Sequence, residues 1–277
     1  MTIDARVQLH PLNEAFAWER HEPPFRRISP AQAAAYDDDG FFVLEDAFDP
    51  DELLAVLAEI DPREAELEDL LRQADGGRVF IARADEITFT THLAKQSTVL
   101  RDFVSGPVFR DLTFDLIGPD VRLYWDQAVY KKPGTDDPFP WHQDNGYTFI
   151  EPQQYLTCWV ALTDATVDNG CPWVVPGLHR LGTLAHEASD LGFVCLREAE
   201  DAIAVPARAG SIVVFSSLTP HSTGPNHSDG VRKAYIVQYA PDGAEIVVGG
   251  GPGQPSTRVP AVEPDRQFFV LRDGEAV

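Results

Sequence analysis

The strongest constraint on this chain is a change of hydrophobic period near residue 121. Before it, the signals are helical. Ser29-Pro30-Ala31-Gln32 reads as a capping box with proline at the first helical position, and Gly40 closes that segment. "FFVLED" (41–46) reads as a short strand. Asp49-Pro50-Asp51-Glu52 repeats the cap, and Leu53, Leu54, Val56, Leu57 and Ile60 then line one helical face. A second helix is predicted to start at Asp61-Pro62 and run through Leu67, Leu70 and Leu71. Two more helices are predicted near 97–105 and 107–117, parted by Gly106-Pro107.

After residue 121 the runs are short and β-rich. "RLYWDQAVY" (122–130) and "YLTCWVALTDA" (155–165) alternate, and "GSIVVFSSL" (210–218) and "RKAYIVQYA" (232–240) add further strands. Strands do not alternate regularly with helices, which argues against a doubly wound parallel sheet. The pattern predicts a mainly β fold, an antiparallel barrel or jelly roll with the N-terminal helices packed outside. The chain divides into a polar arm over 1–28, a single domain over 29–246, and a tail over 247–277. The tail opens on the Gly/Pro-rich "VVGGGPGQPSTRVPAVEP" and is expected to be irregular, a flap or a partner-contacting arm.

Composition narrows the function. The formal charge of −22 on 277 residues, without a Lys/Arg cluster, argues against nucleic-acid binding. No apolar run reaches the roughly 18 residues of a membrane span, and the start lacks the order of a secretory signal. Cys158, Cys171 and Cys195 have no zinc-type spacing, so a cytoplasmic setting with unpaired thiols is expected.

"PWHQDNGY" (140–147) places His142 and Asp144 two positions apart. Residues i and i+2 of an extended segment share a face, so both side chains could reach one ion. Alone, the pair is better read as a polar turn that contains a histidine. Two histidines and one carboxylate with open coordination positions are the usual ligands of non-haem Fe(II) oxygenases. The second histidine could be His221, His10, His21, His92, His179, His186 or His227. His221 is favoured because it follows an apolar strand, where the chain turns back toward the next one. Arg232 opens that next strand, and its planar fork suits a carboxylate.

With these pieces together, the chain resembles the phytanoyl-CoA dioxygenase-like family of Fe(II)/2-oxoglutarate-dependent oxygenases. The resemblance rests on "WHQDNGY", "CWVALTDATVDNGCPWVVPGLHR" (158–180), "PHSTGPNHSDGVRKAY" (220–235) and the opening "ISPAQAAAYDDDGFFVLEDAFDPDEL". It implies a double-stranded β-helix, a jelly-roll or cupin-like barrel, with Fe(II) held by His142, Asp144 and His221. It implies that Arg232 pairs with the far carboxylate of 2-oxoglutarate, with Gln127, Thr223 and Trp159 beside that co-substrate. O2 would be the second co-substrate, and ascorbate is expected to stimulate. Halogenating relatives lack the carboxylate ligand, so Asp144 points to hydroxylation or a related oxidation, here hydroxylation of an unactivated C–H bond in a small organic substrate. An acyl-thioester hydroxylase of the phytanoyl-CoA type and a catalytically silent metal-binding jelly roll remain as alternatives. A zinc hydrolase would have no need of Arg232. His179, Asn226 and His227 are read as structural or loop residues. Trp141, Tyr147 and Phe149 either line a substrate pocket or pack, and substrate choice is expected from loops at 76–96, 145–154 and 183–200 and from either terminal arm.

Overall fold

The computed structural model describes residues 7–250 and 255–277. Its first helix, Pro30–Asp39, starts as the sequence predicts. Ser29 Oγ accepts from the Gln32 N–H while the Gln32 side chain accepts from the Ser29 N–H. Gly40 ends it in the left-handed region at φ 88°, donating to the Tyr36 carbonyl. Space demands glycine there as well: a Cβ would lie 2.5 Å from Thr219 Oγ1 and 2.6 Å from His179 Nδ1.

The expected restart at Asp61-Pro62 does not occur. Pro50–Gln73 is one helix with Pro62 inside it. Its buried stripe, Leu53, Val56, Ile60, Glu64, Glu68 and Leu71, keeps helical phase across the proline. Packing along that stripe therefore outweighs the one backbone hydrogen bond that proline removes. The acidic members of the stripe are partnered. Glu64 accepts from Thr88 and pairs with Lys132 at 2.6 Å, and Glu68 accepts from the Asp85 N–H. Helices Thr98–Val104 and Pro107–Leu116 flank Gly106, as expected.

The second half is mainly antiparallel β. Adjacent strands of the larger sheet run Phe41–Leu44, Ile212–Ser216, Leu156–Ala161, Arg232–Pro241, Val121–Lys131 and Ile87–Thr91. A smaller sheet runs Ile203–Ala204, Pro172–Val174, His221–Thr223 and Phe139–His142. The two form the jelly-roll arrangement, with the helices outside.

The core explains why Leu156–Ala161 is buried at every position. Leu156, Cys158 and Val160 pack with Val56, Ile60, Leu100 and Phe109 of the helices. Trp159 and Ala161 point the other way and pack with Phe139 and Val174 of the smaller sheet. Side chains of a strand alternate between faces, so a strand covered on both reads as continuously apolar.

The tail is more regular than its composition implies. Glu245–Gly249 pairs with Ser256–Pro260 and with Ile150–Glu151, and Phe269–Arg272 pairs with the strand Val121–Lys131. Phe268, Val270 and Leu271 bury there, supplying the apolar anchor that outweighs the glycine and proline before them. Part of the Gly/Pro run, 251–254, lies outside the described residues. Among the described residues no helix is long and apolar enough to cross a membrane.

Candidate metal centre and its cavity

His142 ends the strand Phe139–His142, and His221 opens the strand His221–Thr223. Sheet register makes them direct partners, with ring centroids 4.1 Å apart. Asp144 is not in extended backbone as expected; it is the first residue of a short helical turn, Asp144–Tyr147. The turn still brings its carboxylate to the histidines. Asp144 Oδ1 lies 3.9 Å from His142 Nε2 and 3.8 Å from His221 Nε2, too far for hydrogen bonds. The three ligand atoms lie within 4.8 Å of one another, so they converge on a common point rather than on each other.

The surroundings set the donor atoms. His142 Nδ1 lies 2.8 Å from the Pro140 carbonyl and His221 Nδ1 2.9 Å from the Thr219 carbonyl. A carbonyl only accepts, so each Nδ1 carries the proton and each Nε2 offers its lone pair inward. Burial, then the neighbouring His221, pushes His142 down to about 3; burial pushes His221 down to about 4. Both imidazoles are neutral at physiological pH, as metal binding requires. Thr157 Oγ1 donates to Asp144 Oδ2 at 2.6 Å, leaving Oδ1 free to face the histidines. Burial pushes the Asp144 carboxyl up, an effect that a divalent cation reverses. Two neutral imidazoles and one carboxylate oriented this way fit a divalent transition metal.

Arg232 is fully buried on the wall of the same cavity, which has a volume of about 700 Å³. Nη1 donates to the Val129 carbonyl at 3.4 Å, while Nε and Nη2 have no hydrogen-bond partner among the described residues. A buried cation with unused donors is costly unless a ligand completes it. Its guanidinium lies 5.3 Å from the Trp159 ring centroid. Burial lowers Arg232 to about 10, so it keeps its charge. Gln127, Trp159 and Thr223 line the cavity beside Arg232 and the His-Asp-His group. A carboxylate-bearing co-substrate fits this donor set.

Several supporting residues escaped the sequence reading. Gln143, between His142 and Asp144, is buried; its side chain donates to the Gly182 and Leu218 carbonyls and accepts from the Leu184 N–H. Asn145 donates to Thr183 Oγ1 at 2.7 Å and accepts from the Ile150 N–H. His186 Nε2 accepts from the Gln143 N–H at 3.0 Å, and a Cβ at Gly146 would fall 2.0 Å from the His186 ring. Gln238 donates to Thr157, behind Asp144. The polar run "QDN" was the only signal, and the partners of Gln143 lie 39 to 75 residues away in the chain. His179 and His227 stand outside the cavity; His179 packs under Gly40, and His227 faces Asp136.

Residues 36–234 match the model of the family described as Phytanoyl-CoA dioxygenase (PhyH). The mouse protein Phytanoyl-CoA dioxygenase domain-containing protein 1 is 25% identical over 84% of this chain and 97% of its own length. An ectoine dioxygenase of Bordetella bronchiseptica is 26% identical over 76% of this chain and 75% of its own. The epimerase SnoN, solved with Fe3+, alpha ketoglutarate and nogalamycin RO, shares the fold at a TM-score of 0.66. It is 24% identical over 87% of this chain and 97% of its own. The match spans both the helices that brace the larger sheet and the strands that carry His142, His221 and Arg232, and on it the chain belongs to the phytanoyl-CoA dioxygenase (PhyH) family.

Proposed function

We propose that this protein is an Fe(II)/2-oxoglutarate-dependent dioxygenase that hydroxylates an unactivated C–H bond of a small organic substrate. The balanced reaction is R–H + O2 + 2-oxoglutarate → R–OH + succinate + CO2. One observation carries the reading: three converging lone pairs and a buried guanidinium with two unused donor nitrogens among the described residues share a single cavity. Bound iron and 2-oxoglutarate would supply O2 activation coupled to decarboxylation. His142, Asp144 and His221 would hold the metal, with Thr157 and the Pro140 and Thr219 carbonyls fixing their orientation. Arg232 would take the far carboxylate, with Gln127, Thr223 and Trp159 closing around it.

Residues 29–246 are read as the dioxygenase domain, and a cytoplasmic setting is supported by the free thiols of Cys158, Cys171 and Cys195. Anaerobic addition of Fe(II) and 2-oxoglutarate should give a visible charge-transfer band. Admitting O2 with ascorbate should then release succinate, slowly even without substrate. A protein that gives neither band nor succinate is not this enzyme.

A further inference from the structure

The cavity divides into a polar floor and an apolar outer half. The floor holds the His-Asp-His group and Arg232, the one Lys or Arg among the described residues that line it. Leu67, Leu70, Val79, Phe80, Tyr147 and Phe193 belong to the same lining and supply its apolar side. Leu70, Val79 and Phe80 are 64%, 59% and 62% exposed to solvent. Contiguous exposed apolar side chains at a cavity mouth mark a binding surface.

Phe80 gives the mouth a sharper signature. Val79 and Ala82 are register partners, so Phe80 and Ile81 form a two-residue hairpin turn. Phe80 occupies its first position at φ 52°, a backbone region where glycine is strongly preferred. The chain thus sets a large exposed ring where the turn alone would favour having none, 6.4 Å edge-on from Phe193. Strain kept at a site rim is a pointer to function. Phe193 meets Tyr147 at 5.0 Å, and Tyr147 meets His142 at 5.3 Å, an aromatic path from mouth to metal centre. The nearby arginines sit behind the rim rather than in the cavity lining. Arg78 donates to the Phe80 and Asp190 carbonyls and Arg83 to the Asp190 carbonyl, tying this hairpin to the one at Glu187–Val194.

Resting on the proposed oxygenase reading, we propose that the substrate is an uncharged, largely apolar small molecule gripped by Phe80 and Phe193, not a coenzyme A thioester or a free acid. Among the described residues no Lys or Arg lines the outer half to receive an anionic group, in a chain whose net charge of −22 already repels it.

The test uses the metal-free full chain in saturating 2-oxoglutarate, which competes for Arg232 against any other carboxylate, and the neutral naphthalene ketone prodan as fluorescent probe. Saturable blue-shifted binding is expected, displaced by decanamide at least tenfold better than by decanoate or decanoyl-coenzyme A. Phe80→Gly should melt no lower than wild type, since glycine suits the turn, yet bind prodan about five- to twentyfold more weakly. Leu70→Asp, on an exposed helix position, should weaken binding at least as much. Preferred displacement by the thioester or the acid, or wild-type prodan affinity in both variants, overturns the proposal. The probe needs no iron, so loss of the 2-oxoglutarate band would remove the oxygenase reading while leaving this ranking intact, and the converse also holds.

Discussion

Lys131 and Arg232 face each other as register partners on adjacent antiparallel strands, both at most 1% exposed, and both donate to backbone carbonyls. Burial, then the charge of Arg232, brings Lys131 from 10.5 down to about 7. Between those values the unfolded chain holds a proton that the folded chain has released, so stability rises with pH across that window. The slope from this group approaches about 1.4 kcal/mol per pH unit. Urea midpoints of the metal-free protein should climb from pH 7 to pH 9. Lys131→Met should flatten that rise, and an unchanged slope would show that Lys131 is not the titrating group.

Arg232→Met separates function from stability. The 2-oxoglutarate requirement should rise on the order of a hundredfold, because a desolvated charge pair is lost. The metal-free protein should gain about 1–3 kcal/mol, because a buried cation with unused donors is removed. Metal content measured by elemental analysis should stay near wild type. Unaltered 2-oxoglutarate dependence would remove Arg232 from the co-substrate site.

Thr157→Val leaves Asp144 Oδ2 without its 2.6 Å donor. Metal affinity should fall about 10–100-fold with the fold intact, as is typical when the partner that orients a ligand is lost. Asp144→Ala should abolish metal retention and turnover together. Competitive titration against a chelator measures both, and equal affinities for wild type and Thr157→Val would discount the orienting bond.

Pro62 sits inside the helix Pro50–Gln73, where proline removes a hydrogen bond. Pro62→Ala should therefore stabilise by about 1–2 kcal/mol, the helix gain being partly offset by a freer unfolded chain. Chemical denaturation settles the sign, and a destabilised variant would mean that the ring itself packs usefully.

Much of this was legible because local chemistry and tertiary structure agree. The caps at Ser29 and Asp49 and the stop at Gly40 use partners within a few residues, which sequence displays. His142, His221 and Arg232 were legible as a set because each stands at a strand terminus beside an apolar run: His142 closes one strand, His221 opens a strand after the apolar Ile212–Ser216, and Arg232 opens the next. Asp144 came to the same place by a different backbone, a helical turn in which its side chain leans back toward the histidines. Pro62 misled because a proline beside an acidic residue looks like a helix start, while the stripe it interrupts is set by packing. Gln143, Asn145 and His186 were opaque for another reason: Gln143 bonds to Gly182, Leu184, Leu218 and His186, and Asn145 to Thr183, groups that only the finished fold brings near. The strand Phe269–Arg272 hid behind a Gly/Pro connection whose composition gives no sign of the apolar anchor beyond it.

The two strands sandwiched between helices and cavity carry a further consequence for anyone redesigning this enzyme. On Leu156–Ala161 the even positions meet the helices and the odd ones face inward, where Thr157 and Trp159 line the cavity. On Arg232–Pro241 the parity is reversed: Arg232, Ile236 and Gln238 line the cavity while Tyr235, Val237 and Tyr239 brace the scaffold. A saturation scan along either strand should oscillate residue by residue, trading melting temperature at one position for selectivity at the next. Catalytic diversity and structural tolerance are therefore interleaved along the same chain segment, and libraries drawn by parity can explore one with little disturbance of the other.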